Sequence, residues 1–171
     1  MRGLLRQKFG IWLWMAGAVS LPSCGSEEVS CCSVDVSLDG WAEGEMLYID
    51  YHLAEVPNPH APLLVGRRYR AKFSARCTNQ YPFTTIPLEI RFQQADSLGN
   101  YQDQASPWRI SLQTVDDEGR RTGDTWGSLF SVDGDETCLL QFSEVGDYRL
   151  AIRPDAFLTG VASVTATLSE E

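Results

Sequence analysis

Polar and apolar residues alternate one by one along much of this chain. The clearest stretch is 68–77, where Tyr69, Ala71, Phe73 and Ala75 fall on one side and Arg68, Arg70, Lys72, Ser74 and Arg76 on the other. A period of two predicts a β-strand with one wet face. Residues 83–93 put Ile86, Leu88, Ile90 and Phe92 on one side, and Pro87 within that run predicts an edge position or a bulge. Residues 108–115 repeat the pattern with Trp108, Ile110 and Leu112. Shorter strands are predicted at 33–38, 46–53, 127–132, 137–142, 147–153 and 160–168. No window repeats apolar residues at spacings of three and four over several turns, so no helix beyond a single turn near 155–160 is predicted.

Between these runs lie breakers. Residues 56–62 carry three prolines and predict an exposed extended loop, because each proline lacks an N–H donor. Residues 96–107 read as polar loop. Residues 116–123, with Gly119 and Gly123, read as a turn, and Asp133-Gly134-Asp135 reads as a tight acidic turn. Eight or nine short strands without crossover helices predict an all-β fold. The expected architecture is a single antiparallel β-sandwich, jelly-roll-like, spanning residues 41–171.

The N-terminus follows a different pattern. Arg2, Arg6 and Lys8 precede an apolar run at 9–18, too short for the ~30 Å hydrocarbon core of a bilayer. A charged start, an apolar middle and small residues before a break describe a secretory signal. The break ends at Leu21-Pro22-Ser23-Cys24, which resembles the bacterial lipoprotein box. That resemblance implies removal of residues 1–23, acylation of Cys24, and an outer-membrane lipid anchor facing either the periplasm or the cell surface. Residues 24–40 are expected to form the acylated N-terminus and a flexible tether, with Glu27-Glu28 similar to the export signal of surface lipoproteins in the Bacteroidetes.

Charge narrows the partners. Removing residues 1–23 takes three of the 14 Lys+Arg and none of the 23 Asp+Glu, leaving a net charge of −12 over 148 residues. Nucleic acid is excluded as a partner, because its binding needs basic patches that displace counterions. The remaining partners are the membrane, reached through the lipid, and envelope proteins.

Chemistry is sparse. Beside Cys24 stand Cys31, Cys32, Cys77 and Cys138. Cys77 and Cys138 lie in separate strand-like runs and are candidates for a disulfide in an oxidising compartment, with buried free thiols as the other reading. Cys-x-x-Cys spacing is absent, which argues against structural zinc. Asp133, Asp135 and Glu136 could offer oxygens to calcium, although the twelve-residue EF-hand spacing is missing. His52 and His60 are isolated and form no recognisable relay, and no Gly-x-Ser-x-Gly elbow occurs. No catalytic residue and no cofactor are expected. Trp108, Trp126, Tyr81, Phe83, Tyr101 and Tyr148 are either core and rim or platforms for a sugar.

One combination of segments goes further. Tyr81-Pro82-Phe83 to Ile90, after a strand ending at Arg76, resembles a conserved segment of the GldH-type gliding-motility lipoproteins of Bacteroidetes. Trp108–Leu112, Gly123, Gly127-Ser128-Leu129-Phe130, Phe142 with Gly146 and Tyr148, and Leu158-x-Gly160-Val161 match in order. The chain departs from that family at Thr84 or Thr85, where asparagine is usual, and at 155–157, where a methionine is usual. The resemblance implies a divergent, non-catalytic component of a motility or secretion assembly at the outer membrane. A surface carbohydrate-binding sandwich is the alternative.

Overall fold

The alternating stretches become ten strands. They are β1 (Glu28–Asp35), β2 (Leu47–Leu53), β3 (Arg68–Thr78), β4 (Thr85–Ala95), β5 (Tyr101–Asp103), β6 (Trp108–Gln113), β7 (Thr125–Trp126), β8 (Leu129–Gln141), β9 (Gly146–Pro154) and β10 (Val161–Glu170). Residues 28–37, 39–55 and 63–171 are described by a computed structural model, and no helix occurs among them. The signal segment, Cys24, His60 and the proline segment 56–62 lie outside the described residues.

All pairings are antiparallel. One sheet runs β1-β10-β3-β8-β7; the other runs β2-β9-β4-β5, with β6 also on β4. Leaving aside the short β5 and β7, the pairs β1–β10, β2–β9, β3–β8 and β4–β6 are nested, like one long hairpin rolled across two layers. That nesting is the jelly roll. Inward residues of both sheets meet in one core, with Phe73, Phe130, Val164 and Leu168 from the first and Ile86, Ile90, Leu150 and Ile152 from the second.

β3 follows its sequence pattern: Tyr69, Ala71, Phe73, Ala75 and Cys77 are buried, while Arg68, Arg70, Lys72 and Arg76 are exposed. Four expectations change. Residues 28–35 are not tether: β1 pairs with β10 from Glu28↔Ser169 to Asp35↔Ser163, so the sandwich begins at Glu28 rather than at 41. A run such as EVSCCSVD has too few large apolar residues to read as core, and only a partner strand makes it one. Pro87 lies in a central strand, not at an edge. A residue's N and C=O point to the same side, and the Pro87 carbonyl accepts from Asp155 N–H on the β9 side. The β9 ladder starts only at Leu88↔Pro154, so the missing donor costs no ladder bond there.

The third change concerns Asp133-Gly134-Asp135, which is no turn. β8 runs straight through it, with a bulge where Lys72↔Thr137 gives way to Ser74↔Asp133. Gly134 is required there because a Cβ would come within 2.9 Å of the Phe73 carbonyl oxygen and 2.6 Å of Leu112 Cδ2. Glycine flanked by acids marks a bulge as readily as a turn.

The fourth is the disulfide. Cys77 pairs opposite Phe130, and Cys138 pairs opposite Ala71. Six positions along β3 separate them by about 20 Å, far beyond the ~7 Å between Cα atoms that a bridge tolerates. Both are buried free thiols, and burial pushes each up to about 12.

Candidate functional site

The sandwich has two unlike ends. At the proximal end β1 begins, and the loops after β2, β4 and β8 lie beside it. At the distal end lie the loops after β1, β3, β6 and β9. Of the exposed large apolar side chains, Leu64, Val65, Leu98 and Val145 are in proximal loops and Phe83, Trp126 and Phe157 are distal, while Tyr48 on β2 and Leu139 on β8 lie on the strands between.

The distal loops are bonded to one another. Trp41 is fully buried and exchanges both backbone hydrogen bonds with Leu158, at 2.8 and 2.9 Å. Its indole N–H donates to the Glu45 carbonyl. Thr114 donates from its backbone to Thr84 O and from its hydroxyl to Phe83 O. Arg121 lies over the Phe130 ring, 4.3 Å from its centroid, and donates to the Asn79 and Tyr81 carbonyls. Asn79 donates to Ser128 O and Gly127 O. Thr78 N–H donates to Gly160 O. Gly123 has φ +84°, and a Cβ there would overlap the Ser131 carbonyl oxygen, so no other residue lets this loop lie so close to β8. Tyr81, Gly123, Gly127 and Leu158–Val161, singled out in the sequence, thus interlock the distal loops.

Beside this platform, Arg76, Trp126, Leu129, Phe130 and Ser131 line a cleft of about 340 Å³. Arg76 on β3 stands directly opposite Ser131 on β8, both facing outward, and β7 forms the sheet edge there. Trp126 is 77 % exposed, so its indole is presented to solvent at the rim of this cleft. Trp108, by contrast, is half-buried against the core. Tyr81 is buried and its hydroxyl donates to Thr85 O, while Tyr148 is wholly buried; both are structural. Arg149 stacks between Tyr101 and Tyr48, 4.0 and 4.4 Å from their centroids, and pairs with Asp50 at 2.6 Å.

Sequence reasoning passed over one cluster entirely. On the outer face of the second sheet, Glu89 is opposite Arg153 on β9 and Arg109 on β6. Its side chain is buried beneath three guanidinium groups: Arg153 donates to it at 2.9 and 3.0 Å, Arg91 at 2.9 Å, and Arg109 lies at 3.6 Å. The Arg153 hydrogen bonds first, and those of Arg91 next, outweigh desolvation and hold the Glu89 carboxyl down at about 2. The only signal in the sequence is that all four charges occupy outward positions of neighbouring strands, which needs the register to be seen.

The candidate calcium residues are not gathered. Asp133, Asp135 and Glu136 are exposed along β8, and among the described residues no group of three or more His, Cys, Asp and Glu could hold a metal. His52 on β2 pairs with Asp147 on β9 at 2.6 Å on the exposed face.

No protein-family model and no curated protein matches the chain. Among solved structures, one described as "Structure of Eiger TNF from S. frugiperda" aligns with 84 % of this chain and 93 % of its own, at 11 % identity and a TM-score of 0.36.

Proposed function

We propose that this chain is a lipid-anchored sandwich of the bacterial outer membrane, acting without catalysis as a binding component of an envelope assembly like that of the GldH-type lipoproteins. The observation that carries this reading is the opposition of the two ends. Only residues 25–27 separate Cys24 from Glu28, so the Cys24 backbone that would carry the acyl groups can lie no more than about 14 Å from the start of β1. Leu64, Val65, Leu98 and Val145 are grouped at that end, suited to the headgroup region. The strands then hold the interlocked distal loops about 30 Å away, where Phe83, Trp126 and Phe157 are exposed to partners. Several acyl chains, at ~0.8 kcal/mol per buried CH2, secure such an anchor.

The test has two arms. An alkyne-tagged palmitate should label the wild type and not Cys24→Ala, and the variant should leave the membrane fraction. Mild-detergent pull-downs should recover envelope proteins with the wild type and lose them when Phe83 and Phe157 are both changed to Ala. Absence of label on the wild type sinks the anchor; equal recovery by the double variant sinks the distal contact surface.

Exposure of Trp126 favours a second reading, in which the sandwich binds surface glycans at its distal end. A flat exposed indole is the group on which the C–H face of a sugar ring stacks.

A further inference from the structure

We infer that the Trp126–Arg76 cleft binds a carboxylate-bearing sugar, with the ring stacked on Trp126 and its carboxylate paired to Arg76. This rests on the glycan reading and adds to it the site and the charge of the ligand. The cleft's 340 Å³ is at the small end of ligand pockets, about 300–1,000 Å³, and suits one or two sugar rings rather than a large cofactor. Its lining combines an apolar floor, Leu129 and Phe130, with a hydroxyl on Ser131 and a guanidinium on Arg76.

Charge selects the acid. On a chain with net charge −12, an exposed arginine ordinarily finds a carboxylate. Arg67, Arg68, Arg91, Arg109, Arg120, Arg149 and Arg153 all do, whereas Arg70 and Arg76 on the outward face of β3 meet none among the described residues, and of these two only Arg76 lines the cleft. Arg76 has no ion pair and no side-chain hydrogen bond among the described residues, although Asp133 occupies the next outward position on β8 and Asp35 lies two strands away. A guanidinium takes a carboxylate through two parallel N–H donors, which fixes orientation as well as charge. The combination of a free planar cation and a free indole on one rim calls for a ligand that is acidic at one point and has a flat C–H face beside it.

Geometry argues against an acidic peptide. A peptide that docks by adding a strand gains its affinity from main-chain hydrogen bonds along a sheet edge, and the edge here is β7, only two residues long. So short an edge offers little ladder to extend. A sugar ring needs only the indole face and a few polar contacts.

The test titrates the full chain, in mild detergent and calcium-free buffer, with polygalacturonate, its fully methyl-esterified form, and polyglutamate. Saturable binding of polygalacturonate is expected, at least tenfold tighter than of either other polymer. Trp126→Ala and Arg76→Gln should each weaken it tenfold or more, while Leu139→Ala, on the same outer face but outside the cleft, leaves it unchanged. Equal binding of the methyl ester overturns the carboxylate but leaves a glycan site. Equal binding of polyglutamate, or wild-type affinity in both cleft variants, overturns the proposal. No binding of any polymer removes the glycan reading too, and the anchored-assembly reading is then judged by palmitate labelling and pull-down alone.

Discussion

The two ends of the sandwich are tied in different ways. At the proximal end most side-chain bonds close within a single loop. Asp96 accepts from Leu98 N–H and Asn100 N–H, Tyr148 both donates to and accepts from the Glu144 backbone, and Tyr69 accepts from Leu64 N–H. The bond from Gly66 N–H to Phe142 O is an exception. Five rings fill the core behind these loops: Phe142 packs edge-on against Tyr51, Tyr69, Phe92 and Tyr148 at 5.0–5.9 Å between centroids. At the distal end some bonds also close locally, as where Asp116 accepts from Glu118 N–H and Arg120 N–H, but a further set runs from loop to loop and joins residues distant in sequence: Trp41 with Leu158, Thr114 with Phe83, Arg121 with Asn79 and Tyr81. Locally closed loops can each vary without disturbing the next. Mutually bonded loops move as one body, which keeps a binding surface in shape without a ligand.

Changes at the distal end should therefore spread. Trp41→Ala removes a fully buried indole and should cost about 3–5 kcal/mol, read from denaturant unfolding. Hydrogen exchange should quicken in 79–84 and 155–160 together. Quickening confined to 36–46 would break the picture of a single distal body.

Glu89→Gln comes next and tests the outer face between the two ends. It leaves Arg109 and Arg153 without their carboxylate and Arg91 with Asp103 alone, and should cost about 3 kcal/mol at neutral pH. The pH dependence gives a second signature. The folded Glu89 carboxyl is near 2, below the ~4.3 of an unfolded glutamate. Its stabilisation is present above ~4.3 and is lost as pH falls towards 2. The variant's melting temperature should therefore fall less steeply across that window than the wild type's; parallel acid limbs would sink the assignment.

Tyr51→Phe acts at the proximal core with the opposite sign. The Tyr51 hydroxyl is buried without a hydrogen-bond partner among the described residues. Its removal should raise stability by ~1 kcal/mol, and a loss of that size would show a partner for the hydroxyl. The smallest effect belongs to Leu98, 84 % exposed in the Asp96 loop. Leu98→Ala should change stability by less than ~0.5 kcal/mol, with the distal loops' exchange rates unaltered. Any change there would mean that the ends are coupled after all.

Much of the sandwich was legible from alternation. β3, β4 and β6 follow the predicted faces, because an inward face must be apolar whatever it packs against. β1 was not legible as far as Glu28, since an edge strand half-covered by its neighbours needs few large residues. The bulge at Gly134 looked like a turn because glycine and aspartate serve both. The site was less legible still. Trp126 was visible as a candidate platform, but Arg76 read only as one polar position among five on β3.

What the sequence by itself determined is the strand content, the inward faces, the acidic charge and the place of Cys24 before the first strand, because these depend on residue type and local spacing. What only the tertiary structure decided is which strands neighbour one another. Pairing between strands far apart in the chain opposed Glu89 to both Arg109 and Arg153, held Cys77 and Cys138 apart on adjacent strands, and left Arg76 beside Trp126 with no carboxylate paired to it among the described residues. The hydrophobic pattern fixes which face of each strand turns inward, but which strands become neighbours is settled only when the sandwich closes.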